Sequence, residues 1–520
     1  MALSPEQTVA ADERAQPGRT VVVVAGPGSG KTRVLTDRIV EAIRRGVPPE
    51  QILAVTFTRK AAEEMRRRVF DLLAEDGGRP KMPTVTTLHA WAAELLHRHG
   101  HKINLDGSFG VLDQIDTDNV RKMLRETGLA KNAAAYDELL RSANVLDYDL
   151  LERRAQLLLP RLGFRLYQEV LVDEMQDLSE AEYDLIDHLR GTEAGLFAVG
   201  DPRQSVFEWR GGSPRASTEW QEVGTTHHLL DNYRSAPVIT RFVDELAGFP
   251  GFVSRCTTDG RVDVGCIDPI VWLHSLDRVG DWGSVAVLGR NWRTLQAFGE
   301  LLDGSGIPNV VYSPSLYGWD TPWGRAVSYL FRLERLGLDG ATDSVLVQLL
   351  AHAVGLGSDL PYMRMQAVRK RCHIADVIPP ARVGQSTWSL LDLLDLRIGL
   401  QVRVQVLLKA IDVEPSRAFR ILDVERWAAN LDGWWSWFAF RDLQDRIQEG
   451  NHVHLLTPYG AKGLEWDHVV VPDASSRTYH LGDPELRRVL FVAASRPRRS
   501  LLITWPAEES RSLLLPPEEE

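Results

Sequence analysis

The sequence predicts an α/β protein with two parallel-sheet cores, each interrupted by a mainly helical insertion. Short runs of aliphatic residues lead into glycine-rich or acidic loops, and segments with helical spacing follow them. This alternation is typical of a doubly wound parallel sheet. It occurs in both halves of the chain, and an almost wholly helical stretch interrupts it each time. The length of 520 residues agrees with two cores, because a single hydrophobic core rarely grows so large.

The first core opens on four consecutive valines, Val21–Val24, which run straight into a glycine-rich segment. β-Branched residues without alternation are typical of a parallel strand buried on both faces. The other elements predicted for this core are strands at 52–56, 170–172 and 196–199 and helices at 32–43 and 61–73. The strands predicted for the second core are 285–288, 453–456, 469–471 and 501–504.

Both cores are predicted to be discontinuous in sequence, since a helical block separates their strands. The predicted segments are 1–90 and 165–225 for the first core, 91–164 for its insertion, 226–330 and 450–520 for the second core, and 331–449 for the second insertion.

Composition excludes several classes of protein. With 44% hydrophobic and 25% charged residues, the chain is an ordinary globular sequence rather than a disordered or fibrous one. No stretch reaches the roughly 20 apolar residues that cross a bilayer, so we expect no membrane association. Three cysteines without zinc spacing favour a reducing, cytoplasmic location. The net charge of −11 argues against coating nucleic acid through bulk charge but leaves a local binding groove open.

A phosphate-binding loop is the strongest single motif. Residues 25–32, AGPGSGKT, follow the pattern GxxxxGK[ST] with Ala25 in place of its first glycine, and they lie between a predicted strand and a predicted helix. Glycines let backbone N–H groups converge on phosphate oxygens at a helix N-terminus. Lys31 can reach the β- and γ-phosphates, and the Thr32 hydroxyl can ligate Mg²⁺. The nucleotide-binding candidates in this segment are Gly26, Gly28, Ser29, Gly30, Lys31, Thr32 and Arg33.

Two acidic residues after a second predicted strand are candidates for the same nucleotide site. Asp173 and Glu174 follow the predicted strand at 170–172. Asp173 is the candidate to hold the metal shell, and Glu174 is the candidate base that orients an attacking water. Enzymes that transfer phosphate to small molecules rarely need this second acid. ATP hydrolysis is therefore favoured over transfer.

The chain resembles the UvrD/Rep-like superfamily 1 DNA helicases in six further segments that occur in the family's order. These segments are LSPEQ at 3–7, DEMQD at 173–177, GDPRQSVFEWRG at 200–211, NYRS at 232–235, TPYGAKGLE at 457–465 and RRVLFVAASR at 487–496.

The resemblance implies two RecA-like cores with ATP and Mg²⁺ bound between them. It implies that Gln7 reads adenine, that Gln204 senses the γ-phosphate, and that Glu465 lies near the ribose. Arg234 and Arg496 of the second core would face the γ-phosphate charge. The catalytic candidates are then Lys31, Asp173, Glu174, Gln204, Arg234 and Arg496.

The resemblance also implies a track for single-stranded DNA. Aromatic side chains can stack on any base, which suits binding without sequence preference. Trp209, Phe57 and Phe207 are the stacking candidates, and His89 is a candidate for a backbone contact. For Phe57 a core position is an alternative, and for His89 an ordinary hydrogen-bonded site is one. Tyr459 stands where the family usually has histidine.

Together these features predict an ATP-dependent DNA helicase that moves 3′ to 5′ on single-stranded DNA and unwinds duplex DNA. The direction of movement rests on the resemblance alone. One alternative is a translocase that removes proteins from DNA or needs a partner to unwind. Another is a nucleotide-gated binding module, and RNA remains open as a substrate. A protein loader or accessory factor is a possible partner. The resemblance further implies the cytoplasm or nucleoid of a bacterium, or a phage-encoded protein.

Overall fold

The protein is described by a computed structural model. The described residues are 3–13, 18–75, 80–107, 109–112, 145–163, 166–191, 194–208, 211–213, 215–248, 251–276, 281–311, 400–410 and 451–517, with isolated positions between 117 and 141 and between 326 and 350.

The described strands, in chain order, are β1 Thr20–Ala25, β2 Ile52–Val55, β3 Thr84–Thr86, β4 Gly110–Val111, β5 Val145–Leu146, β6 Glu169–Val172, β7 Gly195–Gly200, β8 Thr225–Leu229, β9 Asp231–Asn232, β10 Val253–Ser254, β11 Arg261–Val264, β12 Val285–Leu288, β13 Asn309–Val311, β14 Val453–Leu456, β15 Trp466–Val471 and β16 Pro497–Ile503.

The described α-helices are α1 Pro5–Asp12, α2 Lys31–Arg44, α3 Arg59–Ala74, α4 Leu88–His99, α5 Tyr148–Leu162, α6 Glu180–Arg190, α7 Arg215–Val223, α8 Pro237–Ala247, α9 Pro269–His274, α10 Trp292–Gly304, α11 Leu400–Ala410 and α12 Pro484–Ala494. Among these residues, no helix is both long and apolar enough to cross a membrane.

The first core contains a six-stranded parallel sheet in the order β3-β2-β6-β7-β1-β8. Val21, Val22 and Val23 of β1 are buried because the strand lies between β7 and β8 in the interior of the sheet. Helix α2 packs its Val34, Leu35 and Ile39 into the same core. Since all strands are parallel, the loops after β1, β2, β6 and β7 leave the sheet at one edge.

The second core contains another six-stranded parallel sheet, in the order β11-β16-β15-β12-β14-β13. Its buried side chains include Val287, Leu455 and Leu502. The α/β class with parallel sheets and flanking helices, predicted from the sequence, is confirmed.

The chain divides into two compact units. One unit, Met1–Leu88, Gly163–Tyr312 and Leu443–Glu520, holds both six-stranded sheets. The other comprises His89–Leu162 and Ser313–Asp442. Its described residues form helices α5 and α11, most of α4, and the two-stranded sheet β4-β5.

The domain boundaries derived from the sequence stay predictions. Most of the predicted second insertion, 331–449, lies outside the described residues, and α11 is its principal described part.

Candidate nucleotide-binding and DNA-binding sites

The phosphate-binding loop joins β1 to α2 in the predicted strand–loop–helix order. Gly28 and Gly30 have φ angles of 69° and 84°, a left-handed conformation that glycine adopts without steric cost. Gly30 is the N-cap of α2, so the first helical residues, Lys31 and Thr32, stand at the positive end of the helix dipole. The backbone therefore forms an anion-binding cradle at the sheet edge.

Gln7 lies against this loop. Its side chain and that of Ser4 form a capping box at the start of α1, which fixes the orientation of the amide. The Gln7 Nε2 atom donates a hydrogen bond to the Ser29 carbonyl at 2.8 Å. The structure thus brings Gln7 to the predicted nucleotide site, and its reading of adenine stays a prediction.

The two predicted acids leave the sheet beside the loop. Asp173 follows β6 and is buried, and the Thr56 hydroxyl lies 3.4 Å from its carboxylate. Glu174 has a φ of 52°, a strained conformation for a residue other than glycine. This backbone turn leaves the Glu174 carboxylate 3.9 Å from Lys31 Nζ. Such strain is concentrated at functional sites, which agrees with the predicted role of Glu174.

The electrostatic surroundings shift the pKa values of Asp173 and Glu174 in opposite directions. Burial and the neighbouring Glu174 charge raise the pKa of Asp173. Burial also acts to raise the pKa of Glu174, but the ammonium groups of Lys31 and Lys462 outweigh it and lower that pKa. Glu174 is therefore held ionised, as a base must be.

The residues predicted to hold Mg²⁺ suit that ion chemically. Thr32 offers a hydroxyl oxygen and Asp173 a carboxylate, and Mg²⁺ prefers hard oxygen ligands. Asp173 is a buried carboxylate whose pKa is raised, so a divalent cation would supply the positive charge that favours its ionised form.

Gln204 links the first core to the second. It belongs to the turn after β7, where its Nε2 atom donates to the Asp201 carboxylate at 2.9 Å. Arg496, at the end of α12, donates from Nη2 to Gln204 Oε1 at 3.0 Å. Burial and the nearby Arg234 charge lower the pKa of Arg496 to about 9. These are the positions from which a γ-phosphate sensor and an arginine finger could act together.

Arg234 and Glu465 pair with each other in this structure. The Arg234 guanidinium hydrogen-bonds the Glu465 carboxylate through Nε, and Arg498 binds the same carboxylate. Burial acts to raise the pKa of Glu465, but the charges and hydrogen bonds of Arg234 and Arg498 together outweigh it and lower that pKa. The γ-phosphate role of Arg234 and the ribose role of Glu465 stay predictions.

Lys462 is a site residue to which the sequence reasoning gave no role. Its Nζ atom forms an ion pair with Asp177, donates to the Gln204 carbonyl at 3.0 Å and lies 4.0 Å from Glu174. The lysine belongs to the TPYGAKGLE segment, and its position in that motif could have indicated a role at the nucleotide site. Lys462 puts a positive charge from the second core beside the acids of the first.

The predicted stacking residues Phe57 and Phe207 lie on each other. Their ring centroids are 5.2 Å apart at an interplanar angle of 17°. Tyr459 approaches Phe207 with a centroid distance of 6.3 Å, and Lys462 Nζ lies 5.3 Å from the Phe207 ring centre. Phe207 is buried and Phe57 is half-buried against the second core's hydrophobic cluster. Trp209 lies outside the described residues.

His89 belongs to the second unit, and its surroundings are described within that unit. Its Nε2 atom is 2.8 Å from Glu152, and its ring stacks on Tyr148 at 4.0 Å. Burial and the nearby Asp149 charge raise the pKa of Glu152 to about 8. His89 therefore occupies a hydrogen-bonded site, and its contact with a DNA backbone stays a prediction.

The fold and the site define a class: a P-loop protein of two parallel-sheet cores, with its nucleotide cradle in one core and its arginines in the other. Two family models match this chain. The UvrD/REP helicase N-terminal domain matches residues 3–142 and 121–222, and the UvrD-like helicase C-terminal domain matches residues 452–504. The chain belongs to the UvrD/REP helicase family.

Individual relatives agree with this assignment. The chain is 32% identical over 267 residues to the ATP-dependent DNA helicase Rep of Escherichia coli. The aligned region covers 41% of this chain and 38% of Rep. The chain is also 32% identical over 265 residues to the ATP-dependent DNA helicase PcrA of Leuconostoc citreum, covering 41% of this chain and 35% of PcrA. A probable DNA helicase II homolog of Mycoplasma capricolum is 32% identical over 244 residues, covering 37% of this chain and 33% of that protein. The matched part thus spans about a third of the length of each relative.

Proposed function

We propose that this protein is an ATP-dependent DNA helicase that moves 3′ to 5′ along single-stranded DNA and separates duplex strands. The observation that carries the proposal is the hydrogen bond between Gln204 and Arg496, which joins the phosphate side of the first core to the second core. The relatives Rep and PcrA are named ATP-dependent DNA helicases, which supports the choice of DNA as substrate.

In the proposed cycle, the loop at 26–32 binds the triphosphate of Mg-ATP through backbone N–H groups and Lys31. Thr32 and Asp173 would hold Mg²⁺, which would supply positive charge to the phosphates. Glu174, kept ionised by its lysine neighbours, accepts a proton from the attacking water. Arg234 and Arg496 approach the γ-phosphate charge from the second core, as an arginine finger does.

Hydrolysis is coupled to DNA through the turn that follows β7. Gln204 and Phe207 belong to one short segment, three residues apart. A change in the contacts of Gln204 when the γ-phosphate leaves would shift the Phe207 ring against Phe57. Because base stacking on aromatic rings supports binding to single strands, this shift would change how strongly the protein binds one base.

Strand separation on tailed duplexes tests the proposal. Purified protein with Mg-ATP is expected to unwind a duplex carrying a 3′ single-stranded tail and to leave a 5′-tailed duplex intact. ATP hydrolysis without strand separation on either substrate would indicate that the protein is a translocase and not a helicase. An absence of ATP turnover with single-stranded DNA would reject the motor function altogether.

A further inference from the structure

A phenylalanine of the second core lies directly on the phosphate-binding loop of the first. Phe252 precedes β10, which pairs with β9 just before Arg234. A Cβ atom placed on Gly26 would lie 2.3 Å from Cε1 of the Phe252 ring. Gly26 does not have a positive φ, so its backbone conformation does not call for glycine. The ring itself takes the space that a side chain at Gly26 would need.

The first core also covers a face of this ring. The Arg203 guanidinium carbon lies 4.3 Å from the centre of the Phe252 ring, within the range of a cation–π contact. Arg203 is held in turn by its Nε hydrogen bond to Asp201 at 2.7 Å. Arg203 directly precedes Gln204, so Phe252 touches both phosphate-facing segments of the first core, the loop after β1 and the turn after β7.

The second core holds Phe252 in a fixed position. The Asp244 carboxylate of α8 accepts hydrogen bonds from the backbone N–H groups of Gly251 and Phe252 at 3.0 Å. On its own core, the ring packs near Phe491 of α12 at a centroid distance of 6.4 Å. The contact with Gly26 and Arg203 therefore exists only while the two cores are docked as in this structure.

We propose that Phe252 is a positioning residue that sets the affinity for nucleoside triphosphate by holding the loop after β1 and Arg203 against the second core. The inference rests on the proposed function in one respect, namely that ATP is bound by groups from both cores. If only docked molecules bind ATP well, the apparent dissociation constant rises as the docked fraction falls. The ring and its cation–π partner raise that fraction.

The test is equilibrium binding of a fluorescent ATP analogue with Mg²⁺ and without DNA, together with steady-state ATP turnover on single-stranded DNA. Phe252→Ala is expected to weaken nucleotide binding about 10-fold while kcat at saturating ATP changes less than about 2-fold, because saturating nucleotide restores docking. Phe252→Leu is expected to lie between this variant and the wild type. Phe242→Leu, a change in the same hydrophobic cluster, is the matched control and is expected to leave the Kd unchanged.

A double-mutant cycle and a rescue sharpen the result. Arg203→Ala is expected to weaken binding in the wild type and to add little in Phe252→Ala, because the two side chains act through one contact. Gly26→Ala is expected to weaken binding by pushing the ring away, and the double variant Gly26→Ala/Phe252→Ala is expected to recover part of that loss. If Phe252 had only a structural role, Phe252→Ala would lower thermal stability but would not weaken nucleotide binding while leaving kcat nearly unchanged.

A Kd within about 2-fold of the wild type in folded Phe252→Ala, or full additivity with Arg203→Ala, overturns the inference. If Phe252→Ala does not fold, Phe252→Leu and Arg203→Ala decide by the same criteria. Failure of the proposed function gives a different pattern, in which the wild type shows no DNA-stimulated turnover while its nucleotide Kd still depends on Phe252. A wild type that binds no nucleotide rejects both.

Discussion

Arg496 Nη2 lies 3.0 Å from Gln204 Oε1, so a side chain of the second core hydrogen-bonds the predicted phosphate sensor of the first. The Gln204 amide donates in the other direction to Asp201, and its backbone carbonyl accepts a hydrogen bond from Lys462. Gln204 is thus held by both cores. A change at the γ-phosphate would alter contacts with both, which is the property that a motor requires of its nucleotide site.

The first prediction concerns Arg496. Arg496→Lys keeps the positive charge but removes the planar guanidinium that can bind Gln204 and a phosphate together. We expect DNA-stimulated kcat to fall by about 10³-fold or more, the usual contribution of an arginine finger, with little change in nucleotide Kd. Arg499→Lys, an exposed position in the same strand region, is the control. A loss of less than about 10-fold in Arg496→Lys would remove the arginine from the catalytic account.

The second prediction separates nucleotide binding from hydrolysis. Glu174→Gln keeps the side-chain shape but cannot accept the proton of the attacking water. We expect kcat to fall by about 10²–10⁴-fold, the range for a general base, and ATP to bind with an affinity close to that of the wild type. The measurement is single-turnover hydrolysis with a parallel binding titration. Glu180→Gln on α6 should behave as wild type, and normal turnover in Glu174→Gln would disprove the assigned role.

The third prediction concerns the aromatic pair. Phe57→Ala removes one ring of the stack with Phe207. We expect single-stranded DNA to bind about 10-fold more weakly, since stacking contributes roughly 1–3 kcal/mol per base. Nucleotide affinity without DNA should not change. Fluorescence anisotropy with a labelled oligonucleotide measures this, with Phe70→Ala, an exposed phenylalanine on α3, as the matched control. Equal losses of DNA affinity in both variants would contradict a specific role of Phe57 in base stacking.

The fourth prediction is about stability. Arg38 of α2 and Glu169 of β6 form a buried ion pair with Nε and Oε1 2.6 Å apart, and Arg38 also donates to the Ala11 carbonyl. Arg38→Ala leaves the Glu169 charge buried and unpaired, so we expect the free energy of unfolding to fall by about 3–5 kcal/mol. Arg45→Ala, which removes a partly exposed pair with Glu41, should cost less than about 1 kcal/mol. Urea denaturation followed by circular dichroism compares the two.

The fifth prediction is a pH dependence of stability. Burial in β14, with a smaller effect of the His452 charge, lowers the pKa of His454 to about 4. The unfolded chain, with a histidine pKa of about 6.5, then binds a proton that the folded state rejects. Stability should therefore fall as pH drops from about 6.5 towards 4, by up to roughly 3 kcal/mol from this residue. Denaturant titrations at several pH values should show a smaller slope in His454→Gln than in the control His188→Gln.

The sequence predicted the parts of the site that are continuous in the chain. The loop at 26–32 and the acids after β6 were found because each motif follows a buried strand, and strand ends in parallel sheets share an edge. Contacts between distant segments were not predictable. The pairing of Lys462 with Asp177 joins residues 285 positions apart, and nothing in either segment specifies its partner. The contact of Phe252 with Gly26 likewise depends on how the second core meets the first.

Tyr459 shows a different limit of sequence reasoning. Tyr459 stands where the family usually has histidine, and that substitution alone does not predict the environment of the side chain. In the structure its hydroxyl lies 3.3 Å from Glu485, and its ring faces Phe207. Burial raises the pKa of Tyr459 to about 12, so the side chain remains a neutral donor near neutral pH. A neutral tyrosine hydroxyl offers one hydrogen-bond donor, whereas a histidine could also carry charge.

The most direct test of the central claim is ATP turnover by the wild type and by Lys31→Ala, each with and without single-stranded DNA. Nucleotide bound in the loop after β1 is proposed to drive movement on DNA through the second core. The wild type should hydrolyse ATP much faster when single-stranded DNA is present, and Lys31→Ala should lose turnover in both conditions while remaining folded. DNA-stimulated hydrolysis that persists in Lys31→Ala would contradict the account.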